Sequence, residues 1–233
     1  MASARALRER VRKELTDEIV GIAKAQLADR GAENLSLRAI ARDLGMVSSA
    51  VYRYFPSRDD LLTALVTDGY NSVGTAVEQA DEAAAADDFV GRWRSVGQAL
   101  RSWAIEHPHE YALLYGSPVR GYHAPETTVQ AAMRDKVVLG RIISDAYRAG
   151  ELRTPPTAQA TPESLGGDLE RVRSAVLPAV PDESVIAALA AWSGLFGMLN
   201  LELFGHFNNI IDDRAALFDQ ALTRLAELAG LPT

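Results

Sequence analysis

Residues 37–54 read LRAIARDLGMVSSAVYRY, and FPSRDDLL carries the run to residue 62. With Leu37 counted first, a small residue (Ala41) falls fifth, where two helices must approach closely. Gly45 falls ninth, where a tight turn needs the left-handed backbone that glycine adopts at least cost. Ile40, Leu44, Met46, Val51 and Tyr54 are apolar or aromatic at the positions that lock one helix onto the other. The spacing predicts a helix-turn-helix, with short helices over about 37–43 and 48–54. Ser36 is placed to cap the first. Ser57 and Asp60 have capping-box spacing at the start of a long fourth helix. Any two helices joined by a turn meet part of this pattern by chance, so spacing alone leaves the function open.

On either side of this run, apolar residues recur at intervals of three and four, the mark of helices with one buried face. A first helix is expected near 8–30, with Leu15, Ile19, Ile22, Ala23 and Leu27 inward and Gly31 as its stop. The fourth carries Leu62, Leu65, Val66, Tyr70, Val73 and Val77, then loosens in the acidic stretch Asp81 to Asp88. Further helices are expected near 89–106, 109–116, 126–149 and 163–176. ELRTPPTAQATP (151–162) reads as a loop, since it has adjacent prolines and little to bury. The last two stripes are the clearest: Val185, Leu189, Trp192, Phe196, Leu199 and Leu203, then Ala221, Leu222, Leu225 and Leu228. The expectation is an all-α chain. A three-helix helix-turn-helix domain over 1–62 is joined by a long helix to a helical bundle over 63–233.

The 233 residues are 48% hydrophobic and 24% charged, within the usual range of a folded globular protein. With no cysteine, disulfide frameworks and thiolate chemistry are excluded. No signal-peptide core opens the chain and no run of ~18 apolar residues occurs, which points to a soluble, cytoplasmic protein without a membrane partner. The net charge of −7 argues against nucleic acid until it is divided. Residues 1–62 carry 11 basic and 9 acidic side chains, whereas residues 63–233 carry 13 and 22. In the first turns Arg5, Arg8, Arg10, Arg12 and Lys13 face Glu9 alone. A solvated helix beside an ordinary acidic surface explains this as readily as a division of labour does.

The run LSLRAIARDLGMVSSAVYRYFPSRDDLL resembles the DNA-binding domain of the tetracycline-repressor (TetR/AcrR) family of bacterial transcription regulators. The likeness is strong over about 15–62. HPHEYALLYGSPVRGYHAPE (107–126) and AWSGLFGMLNLELFGHF (191–207) resemble segments of one subgroup of that family's C-terminal domains. There, Trp is often followed by His-Gly along the same helix; here Trp192 is followed by Phe196-Gly197. The resemblance implies a homodimer on an inverted-repeat operator in double-stranded DNA, with the second short helix in the major groove.

It also assigns roles residue by residue. Ser36 and Arg38 open the first short helix. Arg38 either places its guanidinium fork on a guanine or serves as a phosphate contact or plain surface arginine. Ser48, Ser49 and Ala50 begin the recognition helix, where short side chains let the backbone approach base edges and a methyl can meet thymine. Capping explains the serines equally well. Val47 stands where the family often has Ser. Tyr52 and Tyr54 flank Arg53; the first is the family's phosphate-binding hydroxyl, and the second serves as contact, helix-locking core, or both. Arg58 matches a phosphate-binding position that is usually Lys, though Asp59 and Asp60 oppose an anion there. The basic arm from Arg5 to Lys13 either reaches a groove or the DNA backbone, or is without order.

His107, His109 and His123 suggest a metal only weakly, because Pro108 sits inside an i, i+2 pair and more simply starts a helix. No metal, cofactor or catalytic set is expected, and the chain reads as a regulator and not an enzyme. The large side chains Trp103, Tyr111, Tyr115, Trp192 and Phe196 are the candidates for a largely apolar effector pocket between helices, with ordinary core packing as the alternative. The last two helices are expected to pair with their symmetry mates. Two other readings stay open: an all-α enzyme with an accidental helix-turn-helix spacing, and a dimeric small-molecule-binding protein that does not bind DNA.

Overall fold

A computed structural model describes residues 4–154 and 161–232, and every regular element among them is helical. The chain forms two compact units. Met1–Tyr70 with His107–Val129 makes the first, and Asn71–Glu106 with Gln130–Thr233 the second.

In the first unit, α1 runs over Ala4–Arg30. It begins about a turn before the expected start near residue 8, where Arg5–Glu9, Arg10–Glu14 and Lys13–Asp17 are ion pairs four residues apart. Such exposed pairs, screened by water, each favour the helix only slightly. The basic arm is helical from Ala4. Ile19, Ala23 and Leu27 are buried inward, with Leu15 and Ile22 half-buried beside them.

Helix α2 spans Leu37–Asp43 and α3 Ser48–Val51. The Ser36 hydroxyl accepts the Ala39 amide at 3.3 Å, the expected cap. Gly45 holds φ +66°, and the Met46 amide donates back to the Ala41 carbonyl at 2.8 Å. The second short helix is shorter than the expected 48–54. Past Val51 the chain tightens into a turn, in which Arg53 and Tyr54 donate to the carbonyls three residues back, Ala50 and Val51.

Helix α4 covers Arg58–Ala83 and so runs through both units. Ser57 caps it: its hydroxyl accepts the Asp60 amide at 3.1 Å, and the Asp60 carboxylate accepts the Ser57 amide at 2.9 Å. Ile40, Ala41, Val51, Phe55, Leu61, Leu62 and Leu65 form one core with Ile19 and Ala23. Helix α6 (Pro108–Tyr115) and the segment after it bring Leu113, Val119 and Tyr122 against that same core.

The second unit holds α5 (Phe89–Glu106), most of α7 (Val129–Ala132), α8 (Arg134–Arg148), α9 (Gly166–Val176), α10 (Asp182–Leu203) and α11 (Arg214–Leu228). The single helix expected over 126–149 is divided. A 3-10 turn over Glu126–Thr128, anchored by the Thr128 hydroxyl on the Pro125 carbonyl at 2.8 Å, leads into α7, and a turn at Met133 precedes α8. Residues 151–154 and 161–162 of the expected loop are irregular, and 155–160 lie outside the described residues.

Helix α10 is 22 residues long and apolar enough by composition to cross a membrane, yet here it packs among α5, α8, α9 and α11. Its expected stripe is largely spent inside the unit: Val185, Phe196 and Leu199 are buried. Trp93 of α5 is buried and donates its indole N–H to the Leu222 carbonyl at 3.1 Å, tying α5 to α11. Gly140 lets α8 approach α9, since a Cβ there would stand 2.1 Å from the Val176 carbonyl oxygen.

Candidate nucleic-acid interface and effector cavity

The helix-turn-helix core decides which side chains remain outside. Ile40, Ala41 and Val51 turn inward, so Arg38 on α2 and Ser49, Tyr52 and Arg53 on and after α3 are left exposed. Val47 is 70% exposed and stands at the cap of α3 with extended backbone, which places the helix start at Ser48. An apolar side chain this exposed at the head of a recognition helix can meet a thymine methyl. Neither Val47 nor Arg53 is among the contacts expected from sequence.

The other expected contacts are placed differently. Ser36 and Ser48 are half-buried, the first engaged as a cap. Ala50 is buried at 6% exposure, so its methyl belongs mainly to packing. Tyr54 is half-buried against the core, with the Arg12 guanidinium 5.8 Å from its ring centroid. Arg58 donates through Nη2 to the Ala32 carbonyl at 2.8 Å and lies 3.7 Å from an Asp59 carboxylate oxygen, while its Nε is buried without a partner. In this structure it binds the turn after α1.

A groove of about 540 Å3 runs beside α3, lined by Leu7, Arg8, Val11, Arg12, Arg53 and Tyr54 among others. Its far wall is the basic extension of α1. This adds Arg8 and Arg12 to the cationic groups near the recognition helix.

The five aromatic residues expected around an effector fall in both units. Tyr111 and Tyr115 belong to the first, with ring centroids 5.0 Å apart and Tyr70 edge-on to Tyr115 at 5.9 Å. Burial pushes the Tyr111 phenol well above its usual range. Trp103, Trp192 and Phe196 belong to the second. Trp103 donates its indole N–H to the Ser72 hydroxyl at 2.9 Å, and the rings of Trp192 and Phe196 are 5.2 Å apart. Of the five, Trp192 lines a cavity of about 190 Å3 walled by α8, α9 and α10, with Trp93 of α5. Among the described residues no three His, Asp or Glu side chains gather as a metal site.

Comparison with known proteins gives concordant results. Residues 19–65 match the model of the bacterial regulatory proteins of the tetR family, and residues 93–225 match that of a tetracyclin repressor-like C-terminal domain. The HTH-type transcriptional regulator Rv1816 of Mycobacterium tuberculosis is 39% identical over 220 residues, covering 94% of this chain and 93% of that protein. The crystal structure of the regulatory protein SCO4313 superposes with a TM-score of 0.76 at 34% identity, covering 93% of this chain and 97% of that one. A TetR protein of Acinetobacter baumannii solved with minocycline has a TM-score of 0.52 at 14% identity, over 91% and 93% of the two chains, and so shares the fold.

Proposed function

The chain belongs to the tetracycline-repressor family of bacterial regulatory proteins, and we propose that it acts as a homodimeric repressor that leaves an inverted-repeat operator when a small, largely apolar molecule binds its second unit. The family and the relatives make it a DNA-binding transcriptional regulator and not an enzyme. To that we add the dimer, the operator symmetry, the release and a place of action in the cytoplasm.

The observation that carries this reading is the outward row of Arg38, Val47, Ser49, Tyr52 and Arg53 on a helix-turn-helix locked from behind. Arg38 reads a base through its two-pronged donor edge, Tyr52 and Arg53 hold phosphates, and Val47 supplies apolar contact in the groove. Ser48 and Ser49 let the backbone lie close to the bases.

For the dimer, α10 keeps one face outside its unit. Ile186, Ala190, Ser193, Leu201 and Phe204 are exposed at helical spacing, and Gly197 lies on the same face with open space where a Cβ would stand. A second copy of this helix, related by a two-fold axis, fits that arrangement of small residues between larger ends. The apolar cavity of the second unit supports a small-molecule effector, as does the relative solved with minocycline. Release follows if the effector prefers a dimer whose two reading heads no longer match the operator, and its strength is set by that preference.

The test is selection of bound sequences from random duplex DNA, with the stoichiometry measured by sedimentation. Two inverted half-sites are expected, with centres about 10 base pairs or a multiple apart, holding dimers whose affinity falls steeply with salt. Enrichment of no motif, or of one half-site bound by a monomer, would overturn the reading.

A further inference from the structure

From Arg5 to Glu14 every side chain of α1 is exposed, and Leu15 is the first hydrophobic residue of the helix packed on the core of the first unit. This extension nevertheless forms one wall of the groove beside α3. We infer that the groove holds one sugar–phosphate strand of the DNA next to the bases that α3 meets, with phosphates on Arg8, Arg12 and Arg53 and sugars on Leu7, Val11 and Met46. The inference rests on the DNA-binding reading above and adds a second, sequence-independent hold to it.

Charge selects a polyanion. Along the extension Arg5, Arg10 and Lys13 pair with Glu9, Glu14 and Asp17. Arg8 and Arg12 line the groove, one helical turn and about 6 Å of rise apart. Arg53 lines it from the other side, and no carboxylate is among its described lining residues. Three like charges around one groove repel one another in the free protein, and a chain of phosphates relieves all three at once.

The apolar lining points to a backbone strand. Leu7 and Val11 are each 50% exposed, one turn apart, in a run that otherwise carries only charged residues and alanine. Along this wall apolar and cationic side chains alternate (Leu7, Arg8, Val11, Arg12), as sugar and phosphate alternate along DNA. The opposite wall is Met46, Ala50 and Tyr54, in and around α3. A strand in the groove is therefore continuous with a duplex lying on α3, which a lipid surface would not be. The length of the extension sets the reach. From Ala4 to Glu14 the helix rises about 16 Å, and base pairs follow one another about every 3.4 Å. The hold therefore ends within about five base pairs of the bases read.

The test uses the full-length protein and duplexes of the selected operator in which one phosphate at a time is replaced by an uncharged methylphosphonate. With the unaltered protein, replacements on one strand within about five base pairs of the bases read should each weaken binding about threefold. With Arg8→Gln/Arg12→Gln the same replacements should cost nothing further. Leu7→Gln/Val11→Gln keeps both arginines and a good helix former at each position. It should weaken binding about threefold or more and leave the slope of log affinity against log salt unchanged, the mark of a lost non-ionic contact. Folding and oligomeric state are checked by thermal unfolding and sedimentation, and the phosphate scan on the unaltered protein stands if a variant does not fold. Neighbouring phosphates that can be neutralised without loss, or a Leu7→Gln/Val11→Gln protein that binds DNA as the unaltered one does, would each overturn the inference. So would a change of oligomeric state in that variant, which gives the face to a second copy of the chain. The two readings fail separately. A selected operator with indifferent neighbouring phosphates sinks the groove alone. Selection of no motif sinks the operator reading alone, since Leu7→Gln/Val11→Gln is then scored on random duplex DNA.

Discussion

The guanidinium carbon of Arg12 lies 5.8 Å from the centroid of the Tyr54 ring, so the first turns of α1 reach the end of the recognition element. Cation–π contacts at exposed sites contribute about 0.5–1 kcal/mol. Here the contact also holds a basic helix face beside α3, across a groove that Arg8 and Arg53 share.

If that face lies along the DNA backbone, Arg8→Ala and Arg12→Ala should each weaken binding to all sequences alike. Each should also lower the slope of log affinity against log salt by about 0.9. Binding titrations at several salt concentrations, repeated with the selected operator and with random DNA, check this. A change in the preferred sequence would instead place the arginines on bases.

Arg38→Ala should behave differently. If it reads a base, Arg38 should contribute about 1–3 kcal/mol of discrimination at one position of each half-site. The variant should therefore lose operator affinity, keep its affinity for random DNA, and relax one position in a repeated selection. Equal loss on both DNAs would reduce Arg38 to a phosphate contact.

Two glycines should fail for different reasons. Gly45 sits at φ +66° with open space where a Cβ would stand, so Gly45→Ala adds backbone strain of about 1–2 kcal/mol and no clash. At Gly140 the added Cβ would meet the Val176 carbonyl oxygen at 2.1 Å, and α8 and α9 must separate. Urea unfolding should rank Gly140→Ala as the more damaging. The reverse order would mean that α9 is displaced at little cost.

The Asp81 carboxylate accepts from Arg92 Nε at 2.7 Å and from Arg141 Nη2 at 2.5 Å, and Arg92 reaches on to Asp145 at 3.0 Å. Burial works to raise the Asp81 carboxyl, but the hydrogen bonds and charges of Arg92 and Arg141 outweigh it and hold it below the usual carboxylate range. Its stabilising contribution is thus complete above the unfolded-state value of about 3.9 and is lost as pH falls through the lower folded value. Asp81→Ala leaves the buried Arg92 short of its main partner and should cost about 3–5 kcal/mol at neutral pH. Its stability should also decline less steeply below about pH 4. Denaturant titrations across that range decide it; a loss under about 1 kcal/mol would show that water or Asp145 replaces the missing carboxylate.

For the dimer, Leu201→Glu places a charge on the exposed face of α10, outside its own unit's core. Sedimentation should find monomers with an unchanged helical spectrum, and affinity for a two-half-site operator should fall at least tenfold. A variant that stays dimeric moves the interface elsewhere.

The helix-turn-helix, its caps and its core were legible in the chain itself, because each depends on neighbours within a few turns. Ser36 on the Ala39 amide, Ser57 against Asp60 and Gly45 at positive φ are local bonds and local dihedrals. Helical periodicity likewise marked Ile40, Ala41 and Val51 as inward. What lay beyond sequence depends on which of several similar surfaces meet. Nothing in the order of residues tells that Leu113 and Tyr122 close the core of the first unit, or that Arg58 turns back to the Ala32 carbonyl. Nor does it separate the aromatic residues: a tryptophan at helical spacing looks the same whether its N–H is satisfied, as in Trp93, or buried without a partner, as in Trp192. Periodicity reports that a side chain leaves water. Long-range packing alone decides what it then touches.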